Sequence, residues 1–156
     1  MTRASIGKAH LAAGFLAFGL VAIFWSSTVL VELFGDAAAV AAVKGAILWG
    51  MLLLVPAMAA VGSSGFRLGG RSRAPIVAAK RKRMMAIAAN GLLVLVPSAF
   101  FLAARAADGR FDTAFYAVQA VELVAGAGNL SLMGLNIRDG FAMTRRRRAP
   151  APLPSA

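Results

Sequence analysis

Cysteine is missing altogether from this sequence, which excludes disulfides, thiolate metal sites and cysteine nucleophiles. Histidine occurs once, as His10. A haem held by two histidines of one chain is therefore excluded; only a mixed site using Met133 or Met143, or a haem shared between two chains, stays open. Acids are scarce, with 6 Asp plus Glu against 17 Lys plus Arg and a formal charge of +11. Charged residues of both signs make up 15% of the 156 residues and hydrophobic ones 60%. About a quarter charged is usual for a soluble domain, so there is too little charge here to cover a water-facing surface. The phosphate-binding glycine loop, the GxSxG elbow and the HExxH metal motif are all absent, and the glycine-rich stretch from Gly62 to Gly70 fits neither nucleotide fingerprint. Nothing in the chain points to an enzyme, a cofactor or a metal site.

What the sequence has instead is long uncharged runs. Four stand out: Leu11 to Val31, Gly45 to Phe66, Met84 to Ala104, and Thr113 to Ile137. The fourth is broken only by Glu122. About 20 apolar residues suffice for a helix to cross the hydrocarbon core, and only helices satisfy their own backbone there without closing into a barrel. The first run, behind Arg3 and Lys8, superficially resembles a signal peptide, but it exceeds the usual h-region of roughly 7–15 residues. It also ends in Glu32 and Phe34 rather than in small residues, so it reads as a retained span. The expected fold is all-α: an integral membrane four-helix bundle over residues 1–144, with helices at about 11–34, 45–66, 84–104 and 113–137. Two connections of roughly ten residues each make it two antiparallel helical hairpins. Residues 145–156, basic and then rich in proline, are expected to form a disordered tail.

The basic residues set an orientation. Arg3 and Lys8 precede the first run; Arg67, Arg71, Arg73, Lys80, Arg81, Lys82 and Arg83 lie between the second and third; Arg138 and Arg145 to Arg148 follow the fourth. These fourteen alternate with only three on the other side, Lys44, Arg105 and Arg110. The positive-inside rule then puts both termini in the cytoplasm. Lys80, Arg81, Lys82, Arg83 and Arg145, Arg146, Arg147, Arg148 abut the spans and are expected to contact anionic headgroups. No recognition-helix pattern or aromatic interleaving points to nucleic acid.

Glu122 is the residue most in need of explanation. Nine residues into the fourth helix, an unpaired acid costs roughly 2.5–3.5 kcal/mol. Gln119, Glu122, Gly126, Asn129, Met133 and Asn136 recur at spacings of three and four, which places them on one face. That face is expected to point inward, with Asn90 of the third helix near Asn129 or Asn136. The expected partner of Glu122 is a hydroxyl or amide from Ser26, Ser27, Thr28 or Asn90, with the acid neutral because burial disfavours its charge. Glu32 is expected as an acid at the outer end of the first helix, paired with Lys44 across the connection or solvated there, with a site shared with Glu122 as the alternative. Trp25 and Trp49 are expected in an interfacial aromatic belt. A last pattern is an internal echo: Gly50 to Pro56 and Gly91 to Pro97 agree at five of seven positions, and each proline should bend or loosen its helix.

In size and layout the chain resembles small multi-pass proteins of bacterial inner membranes. That resemblance implies a plasma-membrane location and carries no residue role across. The expected function is non-enzymatic: an interaction or accessory subunit, or a self-associating membrane protein. Small residues such as Ala13, Ala17, Ala60, Ser64, Gly126 and Gly128 would allow close approach within a homo-oligomer or larger complex. Two alternatives are a proton- or cation-coupled carrier using Glu122, and a redox-chain component holding haem or quinone.

Overall fold

A computed structural model describes residues 2–70, 72 and 74–148; of residues 145–148 only the backbone course is used. The described residues are all helical apart from short connections. Helix α1 spans Arg3–Phe34, α2 Ala37–Gly69, α3 Pro75–Asn90, α4 Val96–Ala107 and α5 Thr113–Arg148. A π-helical turn, Gly91–Leu95, joins α3 to α4, so that Pro75–Ala107 forms one continuous third helix. This gives four helices long and apolar enough to cross a membrane. Their outward faces fit lipid: Trp49, Leu93 and Val124 are each 76% exposed.

The helices are longer than the uncharged runs. The reason is local and lies in their caps. Thr2 accepts a hydrogen bond from the Ser5 amide and starts α1 eight residues early. Asp36 accepts from the Ala39 amide at 2.8 Å and starts α2 at Ala37, not Gly45. The connection between α1 and α2 is therefore Gly35 and Asp36 alone, not ten residues. A Cβ at Gly35 would lie 2.7 Å from the Val31 carbonyl, so this tight passage admits no side chain. Asp112 caps α5 through the Phe115 amide at 3.0 Å, and Gly109, at φ 67°, turns the chain ahead of it. Helix α5 runs on through Arg148, beyond the boundary expected at 144. The proline-rich remainder of that tail, residues 149–156, lies outside the described residues.

The two echoing heptads take different backbones. Helix α2 is continuous through Pro56. In the third helix the turn ahead of Pro97 widens, and the Val96 amide donates to the carbonyl of Gly91, five residues back. An added residue in the turn relieves the clash that a mid-helix proline ring makes with the preceding turn. Pro97 thus loosens its helix locally.

Packing falls into two layers. Ala17, Ala57, Ile87 and Met133 meet in one cluster, with a residue from each of the four long helices. Val40, Leu102, Ala106 and Phe115 form the other, towards the end carrying the α1–α2 connection. The opposite end, rich in Arg and Lys, is called the basic end below.

Two outcomes test the caps. Asp36→Ala should destabilise the protein by about 1 kcal/mol and Asp36→Asn by much less, because only the side-chain acceptor matters; thermal unfolding in detergent reads both. The Asp112 carboxyl is held below its ordinary range, first by the Phe115 amide, against desolvation as the next largest effect, and further by Arg105 and Arg110. A depressed folded value means that the stabilisation is present above the ordinary value of 3.8 and is lost as pH falls through the folded value. Melting temperature followed from pH 6 to pH 3 should drop at the acid end, and the drop should be smaller in Asp112→Asn.

Candidate functional site

Lys44 is the centre of the site. It is the eighth residue of α2, about 10 Å along the helix from its start, and its side chain is 1% exposed. An ammonium that far from water needs compensation. Its Nζ donates to Glu122 Oε2 at 2.6 Å and, more weakly, to Thr28 Oγ1 at 3.5 Å. Gln119, one turn before Glu122 on α5, donates its Nε2 to the same oxygen at 3.2 Å. Helices α1, α2 and α5 thus each contribute a side chain to one buried polar cluster.

Expectations for Glu122 and for Lys44 are corrected by this geometry. The nearest partner of Glu122 is Lys44, in an ion pair, with the Gln119 amide second, in place of a hydroxyl or amide from Ser26, Ser27, Thr28 or Asn90. Lys44 is not in a connection, and it does not pair with Glu32. The Oε1 atoms of Glu32 and Gln119 are both buried without a hydrogen-bond partner.

The polar stripe of α5 divides into three separate sites. Gln119 and Glu122 serve Lys44. Asn129 accepts from Asn90 Nδ2 at 2.9 Å, and the same Asn90 nitrogen donates to the Ala125 carbonyl. Asn129 in turn donates to the Ile87 carbonyl at 3.4 Å. These bonds tie α5 to α3 just before the π turn. Asn136 belongs to the basic end, where its carbonyl accepts from Lys80 and its side chain accepts from Arg83. Asp139 completes that group with an ion pair to Arg83 at 2.6 Å and a second, at 3.2 Å, to Arg138. Sequence reasoning missed Asp139, although it falls three residues beyond Asn136 and so continues the same face. Lys80 and Arg83 spend donors on α5, and Arg81 donates to the Gly70 carbonyl. Three members of the run expected at the headgroups therefore also hold protein, and Arg81 and Lys82 remain exposed.

Trp25 packs inward, against α5. Its Nε1 donates to the Leu123 carbonyl at 2.9 Å, and the ring lies so near α5 that a Cβ on Gly126 would sit 2.9 Å from Trp25 Cδ1. Gly50 does the same for Phe24, whose ring would collide with a side chain there. His10 Nδ1 lies 2.9 Å from Ser64 Oγ, tying α1 to α2 near the basic end. Met133 sits in the apolar cluster with Ala17 and Ile87. Met84 is a methionine near His10: both lie within 3.6 Å of the place a Gly65 Cβ would occupy.

The cluster closes one end of a cavity of about 450 Å³. Helix α2 packs on α4 but stands away from α3, and the cavity opens sideways through that gap. Val55 and Phe66 of α2 and Met85 and Leu92 of the third helix line it, yet are 49–64% exposed. Most of its wall is aliphatic, aromatic or methionine; Trp25, Thr28, Glu122 and Asn129 supply the polar atoms. Comparison with protein-family models, with curated proteins and with solved structures gave no match, so no residue role is carried over from a relative.

The ion pair makes a sharp demand on mutants. Removing one partner of a buried pair leaves the other charge uncompensated, at about 3–5 kcal/mol. Glu122→Gln and Lys44→Met should each destabilise by that order, while the double variant should recover a large part of the loss. Unfolding free energies of the four proteins in one detergent supply the measurement. Additive losses would show that the two side chains do not interact.

Proposed function

We propose that this chain is a non-enzymatic multi-pass membrane protein that takes a hydrophobic ligand from the bilayer into the cleft between α2 and α3. The observation that carries this reading is the cavity of about 450 Å³, open to the side and ending at the Lys44–Glu122 pair. Its volume lies within the ~300–1,000 Å³ range of small-molecule sites, and such sites combine apolar walls with a few convergent polar groups. An opening between two lipid-facing helices admits molecules already dissolved in the hydrocarbon. Its wall chemistry matches theirs, so entry exposes no new apolar surface to water.

The topology proposed with this reading is two antiparallel hairpins in a four-helix bundle with both ends cytoplasmic. Pairings between α1 and α2 support it: Arg3 meets Leu68, His10 meets Ser64, and Thr28 meets Lys44. With Lys44 buried inside α2, the far end of the bundle keeps Arg105, in the last turn of α4, and Arg110 as its basic residues. The membrane proposed is a bacterial plasma membrane, with anionic headgroups at the basic end. Ligand binding fits the accessory role expected from the sequence, with a second copy or a larger membrane protein as partner. It departs from the metal-cation version of the carrier reading, since Lys44 already occupies the carboxylate that a cation would need.

Two experiments test these statements. Reporter fusions after Asp108 and after Pro150 should fall in opposite compartments, the second in the cytoplasm; a tail found outside overturns the orientation. For the cleft, a Trp49→Phe background leaves Trp25 as the sole tryptophan, on the cavity wall. A brominated alkane should quench its fluorescence in lipid nanodiscs. Gly62→Leu and Ala88→Leu fill the cleft from opposite walls: a Cβ at Gly62 has nothing nearer than Met84 Cε at 3.9 Å, and Ala88 lines the space while remaining exposed. Together they should abolish the quenching; quenching that persists would show that no ligand enters by this route.

A further inference from the structure

The polar end of the cleft specifies what the ligand carries there. Building on the cleft reading above, we propose that the site selects a single-chain lipid with an uncharged, hydroxyl-bearing head, which donates a hydrogen bond to Glu122.

Both protein donors to Glu122, Lys44 Nζ and Gln119 Nε2, go to Oε2. No donor reaches Oε1 among the described residues, and Glu122 lines the cavity. The two buried side-chain atoms left unpartnered in the described residues are the Oε1 atoms of Gln119 and Glu32. Gln119 is 4% exposed and is hydrogen-bonded directly to Glu122. Of these free acceptors only Glu122 Oε1 belongs to a residue that lines the cleft; Gln119 and Glu32 do not line it. An acceptor kept from water without a donor costs free energy that a ligand or a water can restore, so the vacant role beside Glu122 is that of donor.

Charge narrows the choice. The Lys44 ammonium lies 2.6 Å from Glu122 Oε2, so an ammonium head at Oε1 would stand close to a like charge in a medium that screens poorly. A carboxylate or phosphate head would face Glu122 itself. A neutral hydroxyl meets neither penalty and gains a charge-assisted bond. The route of entry gives the same answer independently. The mouth lies between α2 and α3, along the stretch from Phe66 and Met85 to Val55 and Leu92, whereas the polar end sits at Thr28 and Glu122. A head must cross hydrocarbon to get there, which a charged group does only at high cost. A phospholipid head anchored at the surface is excluded on the same ground. Thr28 adds a second contact: its oxygen accepts from Lys44, which leaves its hydroxyl proton free to bond a second hydroxyl oxygen on the head. A long-chain alcohol and a hydroquinone with an isoprenoid tail both present this chemistry.

Four probes with one hexadecyl chain separate the possibilities: hexadecanol, its methyl ether, hexadecylamine and palmitate. Each is titrated into nanodiscs holding the full chain with Trp49→Phe, and Trp25 emission is read. Hexadecanol should bind about tenfold or more tighter than the ether, the worth of one hydrogen bond to a charged group. The amine and palmitate should bind no better than the ether. A hydroquinone with a long tail should outcompete its oxidised quinone, which has lost the donor; preference for the alcohol without that discrimination would assign the site to alcohols. Equal binding of alcohol and ether would overturn the head assignment while leaving the cleft reading intact. Binding of none of the four would overturn both. Tighter binding of the amine or of palmitate would overturn the neutral-head inference alone. Thr28→Val removes the hydroxyl without disturbing the ion pair; it should weaken the hydroquinone and leave the affinity for the ether unchanged. This keeps the test open if variants of Glu122 do not fold.

Discussion

A lysine ammonium placed about two turns inside a hydrocarbon-spanning helix cannot stay unpaired, and the way Lys44 is compensated organises the rest of the protein. Glu122 on α5 approaches to 2.6 Å and Thr28 on α1 supplies a weaker contact. The pair fixes the rotation of three helices about their axes, because each must turn one particular residue inward. In water such a pair would be weak evidence for stability. In lipid its value lies in register: hydrophobic residues cannot choose between faces when the solvent is itself apolar. The ion pair, the Asn90–Asn129 bond and the Arg83–Asp139 pair lie at three successive levels of α5. Together they define that helix's inward face along much of its length.

Small residues do the complementary work. Gly126 admits the edge of Trp25 and Gly50 admits Phe24, so two large rings enter the interior beside the ion pair instead of facing lipid. They hold α1 against α5 and α2. No comparable packing draws α2 onto α3, and the π turn before Pro97 falls in the helix that stands away. The cleft is thus the consequence of tight packing on three sides and loose packing on the fourth. Its polar floor is the same ion pair that sets the helix faces, which couples the proposed ligand site to the architecture.

Much of this was legible in the amino-acid sequence. Four spans, the all-helical character and the inward face of α5 follow from long uncharged runs and from polar residues at helical spacing. These properties depend on composition and period, and lipid enforces both without reference to neighbours. Lys44 was misplaced for an instructive reason. A span sought as an uncharged window must stop at the first charge, so a charged residue that belongs inside a helix is assigned to a connection. The cap at Asp36, a local signal lying eight residues upstream of Lys44, marks the true start of α2.

What remained for the tertiary structure to decide was pairing. Glu122 needed compensation on any reading, but whether it came from a hydroxyl, an amide or Lys44 depended on which helices are neighbours and how each is rotated. Trp25 could equally have sat in an interfacial belt or against a glycine, and a glycine on another helix settled it. The cleft had no signature at all in the sequence, since a gap is formed by residues that do not meet. Length, span number and charge asymmetry are properties that a chain carries along itself. The buried ion pair and the space beside it exist only when helices distant in sequence are brought side by side.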